Sequence, residues 1–129
     1  MTIRELEKLK YLDTLISTTT NRILALEERL DVGAQVLTDM PKKPGAKDAI
    51  GDTVPEIVDR KANLLRMVKR YEDEKQRIEA YIDGIEDYQI RLILTLRFVH
   101  FMTWAEVAGA IGGNNTEDSV KKACYRFID

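Results

Sequence analysis

The chain has little of what metal centres, disulfide-stabilised folds and membrane spans require. Its 129 residues contain one cysteine, Cys124, and one histidine, His100. One cysteine excludes an internal disulfide and a multi-cysteine zinc site, and one histidine argues against a histidine-based metal or catalytic cluster. No apolar run approaches the ~18–20 residues of a membrane span, and the charged start MTIRELEKLK lacks the apolar core of a signal peptide. We expect a cytoplasmic protein without a metal, a cofactor or a membrane partner.

The chain also lacks the motifs of common catalytic sites. It contains no nucleotide-binding loop, no pairing of a nucleophile with a base and no paired acids suited to catalysis, so we expect no enzymatic activity. Charged residues make up 33% of the sequence, which has only 3 prolines and 7 glycines, and this composition favours long, solvent-exposed helices. The net charge of −2 is not that of a strongly basic nucleic-acid-binding protein.

Two long stretches, residues 3–36 and about 54–83, carry apolar side chains at coiled-coil spacing. The steps between these positions alternate between three and four residues, which is the pattern of a helix seam. The predicted seam positions are Leu9, Leu12, Ile16, Thr19, Ile23, Leu26 and Leu30 in the first stretch, and Ile57, Leu64, Met67, Tyr71, Glu74, Ile78, Tyr81 and Ile85 in the second. The pattern predicts two helices that fold back into a long antiparallel hairpin.

The segment between these stretches predicts a loop at about 38–53. Pro41, Pro44, Gly45, Gly51 and Pro55 fit poorly inside a regular helix. We assign residues 1–85 to the hairpin. Because a narrow apolar stripe cannot be buried by one helix alone, we also expect a homo-oligomer that covers the apolar residues lying off the seam: Leu6, Leu15, Leu24, Val68 and Ile82.

Residues 86–129 predict a small three-helix domain, so the whole chain is expected to be all-α. EDYQIRLILTLRFVHF is apolar on most faces and should form the central helix. Thr103 and Glu106 have capping-box spacing at the start of the next helix, Ala108 suits a close helix crossing, and Gly112 suits the turn that follows. The buried sides of the last two helices should carry Trp104, Val107, Ala108 and Ile111, and then Val120, Ala123, Cys124 and Phe127.

The stretch LTLRFVHFMTWAEVAGAIG resembles region 4 of bacterial sigma factors. It shares an arginine in a leucine-rich helix, a short link, a capped helix with tryptophan and alanine, and a terminal glycine. The whole layout is similar to small sigma-factor-like proteins of phages and prophages of Gram-positive bacteria, some of which regulate phage late genes. The resemblance implies a helix-turn-helix that binds specific double-stranded DNA, with further contacts to RNA polymerase or to another host or phage protein.

Candidate DNA-binding residues lie on the last helix. At 100° per residue, Lys122, Tyr125 and Arg126 face away from Val120, with Lys121 at the margin of the same face. Lysine and arginine can contact phosphates or guanine edges, and a tyrosine ring can contact a sugar or a thymine methyl. A second set of candidate phosphate contacts lies in the predicted loop: Lys42, Lys43 and Lys47.

The chain departs from the sigma-like pattern in two respects. The turn GGNNTEDSV is about two residues longer, and the last helix begins with Glu117 and Asp118, whose charges suit a helix N-terminus but not a DNA backbone. Residues 86–129 carry 5 Lys and Arg against 6 Asp and Glu, a net charge of −1. Two alternatives therefore stay open: a protein-binding regulator or inhibitor whose helix-turn-helix no longer binds DNA, and a DNA-recognition subunit for phage genome packaging.

Overall fold

The chain is all-α, as predicted. A computed structural model describes residues 1–39 and 44–129, with side chains described for 1–31 and 53–129. The helices are α1 (Ile3–Asp39), α2 (Pro44–Asp83), α3 (Tyr88–Leu94), α4 (Trp104–Ile111) and α5 (Glu117–Ile128), and a π-helical turn, Thr95–Val99, continues α3 directly. None of the described helices has the length and apolar character needed to cross a membrane.

The prediction of a loop at about 38–53 has to be corrected. α1 extends to Asp39 and α2 begins at Pro44, so most of that segment is helical. Pro44 is the first residue of α2, where the missing backbone N–H would have no intrahelical partner. Pro55 lies inside α2, and Ile57 beyond it is buried against α1. Helix propensity is a weak prior that packing overrides, and here the helix continues through the proline.

The chain divides into two compact units, and the division differs from the boundary predicted between residues 85 and 86. Unit 1 contains Met1–Asp13 and Arg70–Asp129, and unit 2 contains Thr14–Lys69. The start of α1 and the residues at and just after the end of α2 join the C-terminal helices in one core: Leu6, Leu9, Ile78, Ile82, Ile85, Ile93, Leu94, Phe98, Trp104, Val107, Ala108, Val120 and Cys124. Leu6 and Ile82 are predicted to be covered by a second chain, but they are buried in this core.

Unit 2 has a small core of its own. Ile23, Leu26 and Ile57 are buried, and Leu30 and Leu64 pack against them. The predicted heptad seam is confirmed, because every seam position of α1 and α2 named above is buried or half-buried. The seam therefore joins the α1 and α2 segments within each unit.

The one charged seam position, Glu74, lies in unit 1 and is buried. Its carboxylate forms ion pairs with Arg70 Nε at 3.3 Å and with Arg77 Nη1 at 3.6 Å. Arg77 also reaches Glu5 on α1 at 3.2 Å. A buried charge is tolerated when it is paired, and this network links α2 to the start of α1.

The predicted caps are confirmed in the C-terminal helices. Thr103 accepts a hydrogen bond from the Glu106 backbone N–H, and the Glu106 carboxylate accepts one from the Thr103 N–H. The buried side of α4 is also as predicted, with Ile111 half-buried. The prediction that Phe127 is buried is wrong. Phe127 is exposed, and Ile128 is half-buried instead. Four residues separate Cys124 from Ile128, so Ile128 continues the inward row.

Candidate nucleic-acid interface

α4 and α5 pack against each other across a glycine turn. Val107 and Ala108 of α4 share the core with Val120 and Cys124 of α5. Gly112 ends α4 with a φ of 74°, and Gly113 follows with a φ of 66°. Residues other than glycine rarely adopt this region of backbone conformation. The two consecutive glycines therefore allow the chain to turn here.

Side-chain hydrogen bonds stabilise the turn that precedes α5. Asn115 Nδ2 donates a hydrogen bond to the Gly112 carbonyl at 2.9 Å, and Gln89 Nε2 of α3 donates to Asn115 Oδ1 at 3.5 Å. Thr116 then caps α5 by accepting from the Ser119 N–H, and Ser119 Oγ accepts from the Thr116 N–H. The longer turn is thus built from specific contacts, and it fixes the N-terminus of α5 relative to α3 and α4.

The exposed surface of α5 is mixed in charge. Asp118 and Lys122 form an ion pair of 2.9 Å, one helical turn apart. Arg126 follows one turn later, is exposed and forms no ion pair with any described residue. Glu117, also exposed, adds a second negative charge at the first turn. Since Asp118 neutralises Lys122, Arg126 and Lys121 are the cations that the helix presents unpaired.

Tyr125 differs from its predicted outward position. Its ring is half-buried and packs edge-on against Trp104, with the ring centroids 6.2 Å apart. Lys121 Nζ lies 5.9 Å from the centroid of the Tyr125 ring. The helical spacing of 100° per residue takes no account of Trp104 of α4, against which the Tyr125 ring packs. Only part of the Tyr125 residue therefore stays exposed to a ligand.

Trp104 is a core anchor, as predicted, and it is 8% exposed. Its ring meets Phe98 edge-on, with centroids 6.3 Å apart, and the Arg97 guanidinium carbon lies 4.7 Å from its centroid. Arg97 Nη1 also donates to the Met102 carbonyl at 2.8 Å. The sequence pattern places this arginine in a leucine-rich helix and predicts no partner for it. No local sequence pattern predicts that Arg97 stabilises the segment between α3 and α4.

Cys124 is a buried thiol, as predicted. Burial raises the pKa of Cys124 to about 11, and the charge of Arg97 opposes this shift more weakly. The thiol is consequently protonated at neutral pH and is a poor nucleophile. Cys124 contributes packing to the core that supports α5.

The three candidate lysines of the predicted loop have no structural description. Lys42 and Lys43 lie outside the described residues, and Lys47 lies in α2 where side chains are not described. The candidate interface built from described residues is therefore α5 alone.

No protein-family model, curated protein or solved structure matches the chain.

Proposed function

We propose that the chain is a phage-type transcriptional regulator that acts in the cytoplasm and binds double-stranded DNA through a helix-turn-helix formed by α4 and α5. The observation that carries the proposal is α5, a capped helix seated on α4 through a small residue, Ala108, with Lys121, Lys122 and Arg126 exposed along it. A recognition helix needs this combination of a rigid support and an exposed basic face. RNA polymerase is the further partner that the sigma-like resemblance implies.

The charges on α5 make the proposed DNA affinity weak for one chain. Lys122 is paired with Asp118, and Glu117 lies beside them at the end that would enter the groove. Counterion release scales with the number of phosphates that a protein neutralises. With about two or three phosphate contacts per chain, useful affinity requires that two chains bind together.

Asp118→Asn is expected to tighten binding to random-sequence duplex about two- to fivefold at low salt. The change frees the Lys122 ammonium and removes a negative charge next to the phosphates, and exposed charge pairs have energies of about 1 kcal/mol or less. Fluorescence anisotropy on a labelled duplex measures the effect. Glu72→Gln is the matched control, since Glu72 is exposed on α2, and it should leave the affinity unchanged. Equal affinities of the parent protein and Asp118→Asn for the duplex would show that α5 does not contact the DNA.

The second part of the proposal is a homodimer formed through unit 2, where two of the ion pairs between described residues join α1 to α2 and mark two faces. The first face carries Lys61–Glu27 at 2.8 Å, and the second carries Arg22–Glu56 at 3.5 Å. At 100° per residue, Glu27 lies about 140° from Arg22 on α1. The exposed apolar residues of unit 2 are not shared equally between the faces.

The first face is the apolar one. Leu24 lies about 60° from Glu27 on α1, and three exposed residues of α2 lie within about 60° of Lys61: Val54, Val58 and Leu65. The charges of Lys61 and Glu27 on this face pair with each other. In the described part of unit 2 the apolar core contains three buried residues, which is few for a stable unit. A second copy on this face adds the burial that two helices alone lack.

Leu24→Gln is expected to shift the protein from dimer to monomer at tens of micromolar, whereas Leu15→Gln should not. Both leucines lie on α1 and both are 52% exposed, but Leu15 lies within about 20° of Arg22, on the second face. Sedimentation velocity measures the distribution. A monomeric parent protein, or an equal response of the two variants, would rule out this face as the dimer contact.

A second candidate function, a protein-binding regulator or inhibitor, is favoured by one observation on unit 1. Tyr88, Leu92 and Phe127 are exposed apolar residues, with Tyr88 exposed by 78%. Tyr88 and Leu92 are one turn apart on α3, and aromatic residues are enriched in protein interfaces. This function would replace the first if the parent protein fails to bind duplex at low salt.

A further inference from the structure

Unit 1 contains a cleft that the proposed DNA surface does not use. It has a volume of about 210 Å³ and lies between the first turns of α1 and the segment that follows α3. Its walls are formed by seven residues: Leu6, Glu7, Lys10, Tyr11, Arg97, Phe98 and Phe101. None of them belongs to α5, so the cleft is separate from the candidate nucleic-acid interface.

The lining and the size of the cleft suit a single aromatic ring. Tyr11, Phe98 and Phe101 supply three rings, and the buried Leu6 adds an aliphatic contact. An apolar cavity of about 150 Å³ holds benzene, whereas sites for drug-sized ligands are about 300–1,000 Å³. The cleft is therefore large enough for one substituted ring and too small for a nucleotide or a comparable cofactor.

The charges of the cleft favour an anion on that ring. Lys10 and Arg97 contribute two positive charges and Glu7 one negative charge. Among the described residues, neither cation has a carboxylate partner within ion-pair distance. Arg97 is held by the Met102 carbonyl and by Trp104, which leaves the rest of its planar fork of donors unpaired. A planar carboxylate can accept two parallel hydrogen bonds from such a fork.

The backbone beside the cleft is unusual in two places. Arg97 and Phe98 lie in the π-helical turn Thr95–Val99, and π-helical turns are frequent at functional sites. Phe101 has a φ of 60°, a region that bulky side chains rarely adopt. Strained residues of this kind persist where the surroundings hold them, and they cluster at ligand-binding positions. Both features thus lie in the segment that lines the cleft.

We infer that this cleft binds a single aromatic ring that carries a carboxylate. The ring lies among Tyr11, Phe98 and Phe101, and the carboxylate pairs with Arg97 and Lys10. Such a group can come from a free aromatic acid or from a protein partner with an aromatic residue next to an acidic one. The inference does not depend on DNA binding, because it rests on unit 1 contacts outside α5.

The test is a titration of the full-length protein with phenylacetate, followed by the backbone amide NMR signals of Arg97 and Phe101. We expect saturable shifts with phenylacetate and about tenfold weaker binding of the neutral analogue phenylacetamide, since a charge-assisted contact contributes roughly that factor. Tighter binding of a capped peptide containing Asp-Phe than of phenylacetate assigns the ligand to a protein partner. Equal or weaker binding of the peptide assigns it to a free acid.

Two matched variants complete the test. Lys10→Glu is expected to weaken phenylacetate binding about tenfold, because it removes a cation from the cleft and adds an anion. Lys8→Glu makes the same change at an exposed position of α1 outside the cleft, so it should bind as the parent protein does. Absence of saturable shifts, equal binding of phenylacetamide, or equal effects of the two variants would overturn the inference.

Discussion

Ala108→Asp is expected to unfold unit 1. Ala108 is 7% exposed and lies in the core where α4 meets α5. An unpaired carboxylate in this position costs several kcal/mol, which is comparable to the whole stability of a small domain, about 5–15 kcal/mol. Trp104 lies in the same core, so its fluorescence should shift to longer wavelength and its cooperative melting transition should be lost.

The loss should extend beyond the C-terminal helices. Met1–Asp13 and Arg70–Asp129 form one unit, so the ends of α1 and α2 lose their packing partners together with α3–α5. Unit 2 has a separate core and should retain helical signal in circular dichroism. Ala105→Asp is the matched control: Ala105 is exposed in the first turn of α4, where a carboxylate is favourable. If Ala108→Asp melts as Ala105→Asp does, Ala108 does not lie at a close helix contact.

The features predicted correctly from the sequence are those with local causes. Heptad spacing marks the buried seam because side chains three and four residues apart share a helix face. The capping box of Thr103 and Glu106 needs only residues three apart, and Gly112 marks a turn because of its own backbone freedom. The all-α class and the core role of Trp104 follow from the same short-range patterns.

The features predicted incorrectly depend on packing between distant segments. The prolines and glycines between residues 41 and 51 predict a loop up to about residue 53, but α2 already begins at Pro44, and Ile57 beyond Pro55 is buried against α1. Leu6 is off the seam, yet the C-terminal helices bury it, and no local pattern contains that information. The same holds for the candidate site: Tyr125 faces outward on an isolated helix, but Trp104 of α4 covers part of its ring. Arg97 likewise gains its partners only when α3 and α4 come together.

The largest expected effect on function is that of Lys122→Glu combined with Arg126→Glu, which should abolish retention on duplex DNA. The two changes alter the charge of α5 by about four units, and each removed phosphate contact reduces the salt dependence by ~0.9. Both side chains are exposed, so the fold and the helicity should be unaffected. Arg66→Glu with Lys69→Glu is the matched control, because it makes the same change in charge at exposed positions of α2.

The central claim, that α5 binds DNA, is tested most directly by measuring the affinity for random-sequence duplex between about 50 and 200 mM salt for the parent protein and both double variants. We expect the parent and the α2 control to bind with a log–log slope of about −2 to −3 per chain, doubled in a dimer. The α5 double variant should show no binding. A parent protein that does not bind duplex at the lowest salt, or an α5 double variant that binds as well as the parent, would contradict the claim.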